Sequence, residues 1–554
     1  MFIGNLNWID LTTSDFAMVI KDKLLYVDKS LFIEHFLNER QQVQIIARPR
    51  RLGKSMNLRM LHCFLTDSED FRPLFEDLGI RKSPSWEKAH GNPAFLFDFK
   101  GLNAREYPNQ IQLMANAYAD SYASDPRCPK YLCKLHELYR DNPEKSTSDA
   151  ILNLMKTAYA VTGKKSYVLI DEYDKLLIDI INDKDYKTVR DYLTQVLSAA
   201  MKGNIYLEKG LLTGVMRVSH EGMLSGLNNA QTYDVFEDCV YTSDYGLTKS
   251  EVEELCDAAG LSPELMRSWY NGIKIGDQEI YNTFSVMSAV CKKECKSFWG
   301  KSGTMDLISS LSSISQKNSL MGLLVTGAKM NSRIEDRVSP ASLQKGLSDD
   351  ALYSLLVQSG YLALSNWVNK YGTVRIPNKE LEDVWSNFIF TSFFSNAGSM
   401  LQSIFSILEP EKIADELEQY LLTTLDELSF HNVPTHICKD GKRRTHEALY
   451  HNVVFGLLKG GRAELNYDSL SSNREGGDGR FDVDMDLRKV SVIFEFKSGA
   501  EDEDLHKLSI KAREQIEEKR YGFGFTLPII GIGVSCYKKH CKVAGRWIDY
   551  SALK

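Results

Sequence analysis

Few cysteines, prolines and glycines occur in this sequence, and each shortage excludes a class of protein. The chain has 10 Cys among 554 residues, too few for a disulfide scaffold, and its 36 Gly and 14 Pro exclude collagen-like and low-complexity structure. No CxxC pair occurs, and Cys291 and Cys295 have no Cys or His pair nearby, so a zinc site is not expected there. Reduced thiols in turn predict a cytoplasmic location.

Long apolar runs and an excess of positive charge are also missing. The N-terminus has neither a basic start nor an apolar segment, so no secretory signal is expected. The apolar stretch Leu527–Cys536 is only as long as a buried strand, which predicts a protein that does not insert into a membrane. With 67 Lys and Arg against 74 Asp and Glu, the net charge is −7, so any contact with nucleic acid must come from a local basic patch.

The hydrophobic pattern changes twice along the chain and predicts three domains. Four short apolar runs read as strands: 43–47, 94–99, 167–170 and 205–213. They alternate with helical segments, which predicts an α/β domain with a parallel sheet over residues 1–250. Residues 251–440 have a mostly helical pattern. Residues 441–554 return to a mixed α/β pattern, with a polar loop expected at Ser471–Gly479.

A basic, glycine-bearing loop follows the first of these strands directly. Its sequence is Arg48-Pro-Arg-Arg-Leu-Gly-Lys-Ser, and a helical pattern comes next. Strand, loop and helix in this order form a P-loop, in which Gly53 lets the backbone wrap phosphates, Lys54 reaches the β- and γ-phosphates and Ser55 binds Mg²⁺. The consensus has Gly where this chain has Arg48, so a basic loop at a helix start is the alternative.

A second element supports nucleotide binding. Tyr167–Glu172 is an apolar strand that ends in two acids, as a Walker B strand does. Asp171 is expected to hold Mg²⁺ and Glu172 to polarise the attacking water. The alternative is a buried strand that ends in solvated acids.

Four further residues are assigned to the nucleotide. Arg48 and Arg51 lie in the loop, and Thr213 and Arg217 lie in or after the strand at 205–213. Thr213 is placed to sense the γ-phosphate, with a hydroxyl bonded to backbone as the alternative. Arg217 reads equally well as an arginine finger and as a surface residue.

Acids and a lysine alternate along two strand patterns near the other end of the chain. A two-residue period places Asp482, Asp484 and Asp486 on one face of the first strand, and Glu495 and Lys497 on one face of the second. Carboxylates gathered at this density favour a divalent cation, Mg²⁺ or Mn²⁺, and a lysine beside it stabilises charge on a phosphate. The pattern therefore predicts metal-dependent phosphodiester chemistry, with an ordinary edge strand and a solvated ion pair as the alternative.

Two residues on neighbouring helical patterns extend this cluster. Glu447 starts one helix and Gln515 lies on another, and each has a solvated helix face as its alternative. Several basic residues near the cluster are candidates for following a phosphate backbone, although a solvated surface is their ordinary explanation: Lys442, Arg443, Arg444, Lys511, Arg513, Lys519 and Arg520.

Nearly the whole chain resembles bacterial and archaeal proteins that join an AAA-ATPase-like domain to a C-terminal PD-(D/E)XK nuclease-superfamily domain. In the N-terminal half the resemblance rests on these segments: Tyr26–Ser30, Arg48–Ser55, Leu169–Asp174, Thr213–Gly214, Ser225–Asn229, Tyr245–Thr248, Trp269–Gly272 and Tyr281–Ser285. In the C-terminal part it rests on Glu447–His451, Gly479–Asp482, Glu495–Lys497 and Gln515. The RPRRxGKS form resembles that family's own P-loop.

The resemblance implies a P-loop NTPase parallel sheet, a helical middle region and a restriction-endonuclease-like α/β domain. It implies that Lys54, Ser55, Asp171 and Glu172 bind and hydrolyse ATP with Mg²⁺. It further implies that a nuclease core forms from Asp482, Glu495, Lys497, Glu447 and Gln515, with Asp482 and Glu495 as metal ligands. Asp482 is preferred over Asp484 and Asp486 because it follows Gly-Arg-Phe.

Three functions are consistent with these motifs. The first is an ATP-binding and hydrolysing protein coupled to a nuclease that acts on nucleic acid, DNA in preference to RNA, in defence or mobile-element biology. The second is a nucleotide-controlled switch with an inactive nuclease fold that binds nucleic acid or protein. The third is an interaction protein with a degenerate P-loop. The paired P-loop and Walker B motifs disfavour the third, and a homo-oligomer is left open.

Overall fold

The structure is a computed structural model that describes most of the chain. The residues described are 2–6, 8–10, 13–145, 147–181, 183–216, 227, 229–298, 329–335, 338, 348–385, 397–427, 435–437, 442–445, 447–476 and 479–550. Within these residues no helix combines the length and the apolar character that crossing a membrane requires.

The chain divides into two compact units. Within its described residues, the first unit comprises 1–311 and 331–381, and the second consists mainly of 382–554. The domain boundaries predicted at residues 250 and 440 stay a prediction.

A five-stranded parallel sheet forms the centre of the first unit. Its strands are β3 (Val43–Ala47), β4 (Ala94–Asp98), β5 (Ser166–Asp171), β6 (Leu207–Gly214) and β7 (Ala230–Tyr233). They lie in the order β4-β5-β6-β3-β7, and every neighbouring pair is parallel. All residues of β3 and β5 are buried, because helices cover both faces of such a sheet and favour continuous apolar runs. The predicted parallel sheet is confirmed.

Helices pack around this sheet and fill the sequence between its strands. They are α1 (Phe16–Lys21), α2 (Leu31–Asn38), α3 (Lys54–Leu65), α4 (Tyr107–Ala123), α5 (Lys130–Asp141), α6 (Ala150–Thr162), α7 (Lys175–Asp179) and α8 (Tyr186–Met201). The short strands β1 (Phe2–Ile3) and β2 (Tyr26–Val27) pair with each other before the sheet begins. A core of aromatic and aliphatic side chains from α4, α6 and α8 packs against β4, β5 and β6.

The remainder of the first unit is helical with small sheets. Its helices are α9 (Lys249–Ala259), α10 (Pro263–Tyr270), α11 (Thr283–Lys292) and α12 (Asp349–Gln358). Its strands are β8 (Ile273–Ile275), β9 (Gln278–Ile280), β10 (Met330–Arg333), β11 (Ala363–Val368) and β12 (Tyr371–Arg375). The helical pattern predicted for this region did not indicate these short strands, which are too brief to leave a clear alternating signal.

A mixed five-stranded sheet forms the second unit's centre. Its strands, in the spatial order given, are β15 (Ser469–Gly476), β16 (Gly479–Asp486), β17 (Ser491–Ser498), β18 (Ile529–Tyr537) and β19 (His540–Ile548). Only the pair β17–β18 is parallel. A further short pair is β13 (Thr435–Ile437) with β14 (Arg443–Thr445). The helices are α13 (Ala397–Phe405), α14 (Pro410–Glu427), α15 (Glu447–Gly460), α16 (Arg462–Leu465) and α17 (Leu505–Glu518).

Helix α17 provides the crossover between the parallel strands β17 and β18. It lies so close to β18 that a Cβ on Gly533 would stand 2.0 Å from the carbonyl oxygen of Ser509. Glycine is therefore required at this position for the helix to reach the sheet. Ile516 of α17 is fully buried against Ile493 and Ile529 of the sheet, which fixes the face that α17 presents to β17.

One element of the second unit differs from its prediction. The polar stretch Ser471–Gly479 was expected to be a loop, but β15 continues to Gly476 and pairs with β16 up to the Gly476–Gly479 position. The prediction was wrong because polar composition was taken as a loop signal, whereas an edge strand of an antiparallel sheet accepts polar residues.

Candidate functional site

A cleft of about 510 Å³ opens at the carboxyl ends of the parallel strands in the first unit. Ligands of open α/β sheets bind at this edge, because successive loops converge there. Its polar lining includes residues from the P-loop and from the segment after β5: Arg50, Gly53, Lys54, Ser55, Glu172 and Asp174. An apolar part is lined by Ile9, Val19, Leu24, Leu25, Val27 and Leu247. The cleft thus offers a charged end and an apolar end.

The P-loop turns into α3 through a glycine in the left-handed conformation. Gly53 caps α3 with a φ of +85°, and no atom lies within 4 Å of the Cβ that another residue would add, so glycine is needed for conformation and not for space. Lys54 is the first residue of α3, and its Nζ donates hydrogen bonds to the carbonyl oxygens of Arg48 (3.0 Å) and Pro49 (2.7 Å). Burial lowers the pKa of Lys54 to about 8, while Asp171, Asp174 and Glu172 oppose the shift.

The acids predicted at the end of β5 lie at the same edge. Because β6 lies between β3 and β5, Thr213 is placed beside Asp171, and its hydroxyl donates to the Asp171 carboxylate at 2.6 Å. The backbone N–H of Glu172 also donates to Asp171, at 3.0 Å. Glu172 has a φ of +49°, a left-handed conformation that is uncommon for this residue type and recurs at functional sites. Burial and the charge of Asp171 raise its pKa.

The arginines of the loop point in different directions. The buried Arg48 donates to the carbonyl oxygens of Ala47 (3.1 Å) and Tyr233 (3.0 Å), so its guanidinium braces β3 against β7. Arg51 donates to the carbonyl oxygen of Phe298 at 3.0 Å and lies over the ring of Phe284. Those contacts are internal, and phosphate contact by Arg48 and Arg51 stays a prediction. Arg217 lies outside the described residues.

In the second unit, a glutamine links the acid and the lysine of the E-x-K pattern. Gln515 on α17 accepts a hydrogen bond from Lys497 Nζ at 2.6 Å through its Oε1. Through its Nε2 it donates to Glu495 Oε1, and Tyr521 Oη lies 3.5 Å from the same nitrogen. The side-chain amide therefore fixes both β17 side chains in one orientation, with the second carboxylate oxygen of Glu495 left without a hydrogen-bond partner in this part of the chain.

Asp482 is the aspartate that comes nearest to this pair. Its Oδ2 accepts a hydrogen bond from the backbone N–H of Phe496 at 2.9 Å, which places it between the two predicted β17 residues. Asp486 instead accepts hydrogen bonds from the hydroxyls of Ser469 and Ser491. Asp484 is fully buried. These placements favour Asp482 as the metal ligand, and the assignment stays a prediction.

Glu447 joins the cluster from the first turn of α15. Its carboxylate accepts a hydrogen bond from the backbone N–H of Ser498 at 3.3 Å. One turn later, His451 lies 3.1 Å from the carbonyl oxygen of Asp482 through Nε2. The segment Glu447–His451 therefore lies against both acid-bearing strands.

The electrostatics of the cluster suit a cation. Burial, then the charge of Asp482, raises the pKa of Glu495 to about 8, with Lys497 opposing the shift. Burial and Asp482 also raise the pKa of Glu447. In the described part of the chain, no group of three or more His, Cys, Asp or Glu side chains is arranged to hold a metal ion. The carboxylates of Asp482 and Glu495, with the buried Oε2 of Glu495 left unbonded, nevertheless fit a divalent cation that takes its remaining ligands from water and phosphate.

Two of the basic residues considered as phosphate contacts are paired with acids. Lys442 bonds to Asp502 at 3.0 Å, and Arg444 bonds to Glu503 at 2.5 Å. These pairs attach β14 and the residue before it to the loop that follows β17, so the two side chains contribute to structure near the cluster.

Comparison with known proteins agrees with this geometry. Residues 10–224 match the family model described as "Predicted AAA-ATPase", and residues 445–546 match the model of the PD-(D/E)XK nuclease superfamily. The chain joins an AAA-ATPase-like domain to a PD-(D/E)XK nuclease-superfamily domain. The first match contains the P-loop, Asp171 and Thr213, and the second contains every residue assigned to the nuclease core.

Two further matches extend beyond the single domains. A protein of Azotobacter chroococcum mcd 1, described as "Uncharacterized protein in vnfD 5'region", is 23% identical over 489 residues, which are 86% of each chain. A chain in the "Structure of Drosophila ORC bound to AT-rich DNA and Cdc6" is 8% identical, with a TM-score of 0.17, over 67% of this chain and 90% of that one. Similarity at that TM-score carries no argument about fold or function.

The AAA-ATPase-like domain contains two cleft residues that sequence reasoning missed. Asp174 is buried, and its Oδ2 accepts hydrogen bonds from the backbone N–H groups of Val215 (2.9 Å) and Met216 (2.7 Å). It thereby fixes the end of β6 beside Asp171. Arg50 lines the cleft beside Arg51, whereas Arg48 is not among the lining residues. Asp174 was visible as an acid three residues after Asp171, but no signal in the sequence distinguishes the three arginines of the loop.

Proposed function

We propose that the protein binds and hydrolyses ATP in the cleft of its AAA-ATPase-like domain and cleaves nucleic acid with its PD-(D/E)XK domain. DNA is the favoured substrate, and ATP controls cleavage. The observation that carries the proposal is that one chain brings together both groups of side chains. The cleft gathers Lys54 and Glu172, and Gln515 holds Glu495 and Lys497 together.

In the ATPase cleft, Lys54 makes hydrogen bonds within the protein that bound ATP would replace. Phosphate oxygens would replace the carbonyl oxygens of Arg48 and Pro49 as acceptors for Lys54, and the anionic phosphate would favour its charged form. Ser55 and Asp171 would hold Mg²⁺, which supplies positive charge to the β- and γ-phosphates. Glu172 would take a proton from the attacking water, and a raised pKa suits it for that role near neutral pH.

In the nuclease cluster, Asp482 and Glu495 would hold Mg²⁺ or Mn²⁺. A cation bound there supplies Lewis acidity at the scissile phosphate. Lys497 is oriented by Gln515, and its ammonium would stabilise the negative charge that develops on the phosphate as water attacks. Glu447 would orient water from the first turn of α15.

The first test replaces the proposed general base of the ATPase. We expect Glu172→Gln to lower the rate of ATP hydrolysis at least about 100-fold while ATP affinity changes little, because an amide keeps the shape but cannot accept the proton. Phosphate release and equilibrium nucleotide binding are measured on the same samples. Glu137→Gln, an exposed site on α5, is the matched control. Normal turnover in the Glu172 variant would remove its catalytic role.

The second test uses the raised pKa of Glu495. Below a pKa of about 8 this carboxyl holds a proton that a cation must displace, so affinity for Mn²⁺ should rise with pH and level off above about 8. Calorimetry at pH 7 in two buffers of different ionisation enthalpy, without nucleotide, should detect about one proton released for each Mn²⁺ bound at this cluster. We expect Glu495→Gln to abolish this proton release, because the amide has no proton that the cation must displace. Equal proton release by the wild type and this variant would contradict Glu495 as a ligand.

A nucleotide-controlled switch with a catalytically silent nuclease fold is the second candidate. It is favoured by one observation, namely that no three-ligand metal group forms among the described residues. A defence or mobile-element role is consistent with an ATPase joined to a nuclease, and this part of the proposal rests on analogy between folds.

A further inference from the structure

Arg50 occupies a different environment from the arginines on either side of it. Arg48 is directed into the sheet. Arg50 and Arg51 both line the ATPase cleft with Gly53 and Lys54, but the guanidinium of Arg51 donates to the carbonyl oxygen of Phe298 and lies over the ring of Phe284. Arg51 has a φ of +65°, and this left-handed step in the loop separates its side-chain direction from that of Arg50. Among the described residues, Arg50 is therefore the loop arginine that lines the cleft without an internal partner for its guanidinium.

The guanidinium of Arg50 is not neutralised within the described residues. Its side chain is half-buried, its Nε is buried without a hydrogen-bond partner, and no carboxylate within 4.0 Å forms an ion pair with it there. A partly buried charge without a partner is costly unless a ligand supplies the opposite charge. An unpaired arginine at the charged end of the cleft therefore indicates that an anionic ligand group is its partner.

The position of Arg50 narrows the choice of anionic group. Arg50 lines the same cleft as Lys54 and Glu172, and its positive charge opposes the rise in the pKa of Glu172 that burial causes. In the proposed function, Lys54 contacts the β- and γ-phosphates, and Glu172 contacts the water that attacks the γ-phosphate. A cation near both lies beside the γ-phosphate, away from the α-phosphate and the base.

We propose that Arg50 contacts the γ-phosphate of ATP bound to its own chain and acts as an arginine finger in cis. This inference rests on the proposed ATPase function. During hydrolysis a bond forms between the water oxygen and the γ-phosphorus, and the bond from that phosphorus to the bridging oxygen breaks. Glu172 accepts the water proton, ADP and phosphate are the products, and Arg50 keeps its proton throughout while it stabilises the equatorial phosphate oxygens. No residue of a neighbouring subunit is needed.

The affinities of Arg50→Ala for ATP and ADP test the contact. Since ADP lacks the γ-phosphate, ATP affinity should fall at least about tenfold while ADP affinity changes little, and the rate of hydrolysis should fall by about 10²- to 10³-fold. Arg50→Lys should recover part of the ATP affinity, because a lysine keeps the charge without the fork of donors. Arg127→Ala, an exposed arginine paired with Asp125 in its own turn, is the matched control.

Several outcomes would overturn the proposal. Equal loss of ATP and ADP affinity, with a lower melting temperature, would make Arg50 a structural residue. Unchanged ATP affinity and turnover would remove the contact while leaving the ATPase function intact. A wild-type protein that binds no nucleotide would instead refute the proposed function itself, so the two failures are distinguishable.

A mixing experiment separates a finger in cis from one in trans. Arg50→Ala and Lys54→Ala are each inactive if both assignments are correct. In a mixture, the Lys54 variant still carries an intact Arg50 that a neighbouring chain would receive if the finger acted in trans. Action in cis predicts that the mixture hydrolyses no more ATP than the sum of its parts. Recovery of activity on mixing would contradict the proposal.

Discussion

We expect Lys497→Ala to reduce metal-dependent cleavage of nucleic acid by at least about 10²- to 10³-fold, the usual loss when a group that stabilises transition-state charge is removed. The ammonium of Lys497 is held at 2.6 Å from Gln515, so it is positioned before the substrate binds. An alanine removes that charge, while Gln515 can still donate to Glu495. Cleavage is measured on labelled DNA and RNA with Mg²⁺ or Mn²⁺, and EDTA should abolish it.

The control for this variant is Lys507→Ala. Lys507 is a highly exposed lysine on α17 of the same domain, and its ion pair with Asp504 is a surface pair of small energetic effect. Cleavage by the Lys507 variant should equal that of the wild type. Cleavage by Lys497→Ala at the wild-type rate would show that the activity, if present, does not use this cluster.

Lys54→Ala should remove nucleotide binding from the AAA-ATPase-like domain. At an ATP concentration about 100 times the wild-type Kd, binding stabilises the wild type by about 2.7 kcal/mol. If the variant binds about 100-fold more weakly, the same concentration stabilises it by only about 0.4 kcal/mol. Melting curves with and without ATP measure the difference.

The fold of this variant is expected to survive without nucleotide. Burial lowers the pKa of Lys54 to about 8, because its ammonium is removed from water in the fold. An alanine removes this desolvation cost. It also removes the donor to the carbonyl oxygens of Arg48 and Pro49, so the two effects oppose each other. Lys134→Ala, an exposed lysine on α5, is the matched control. An ATP-induced rise in melting temperature as large in Lys54→Ala as in the wild type would refute the P-loop assignment.

Much of the fold could be predicted because the motifs are local. β3 and β5 are continuous apolar runs. Lys54 follows the loop after β3 and Asp171 ends β5, so the order of strand, loop and helix placed both predicted site residues at one edge of the sheet. The alternation of Glu495 and Lys497 on β17 put both on one face by the same kind of local rule. The continuation of β15 to Gly476 was missed because composition alone does not separate a polar edge strand from a loop.

What could not be predicted depends on contacts between distant parts of the chain. Arg48 donates a hydrogen bond to the carbonyl oxygen of Tyr233, 185 positions further along the chain. Nothing in the RPRR sequence indicates which arginine is buried. Thr213 was expected to sense phosphate directly, but its hydroxyl donates to Asp171, so any such sensing would act through that carboxylate. The contact of Gln515 with both Glu495 and Lys497 depends on how closely α17 packs on the sheet at Gly533.

In the proposed function, ATP controls a metal-dependent nuclease in the same chain. The most direct measurement is cleavage of labelled DNA and RNA substrates by the wild type and by Lys54→Ala, each with Mg²⁺ or Mn²⁺, in the presence and absence of ATP. We predict cleavage that requires the metal and changes with ATP in the wild type but not in Lys54→Ala. No cleavage of any substrate by a wild-type protein that binds ATP would contradict the claim and favour the switch with a silent nuclease fold.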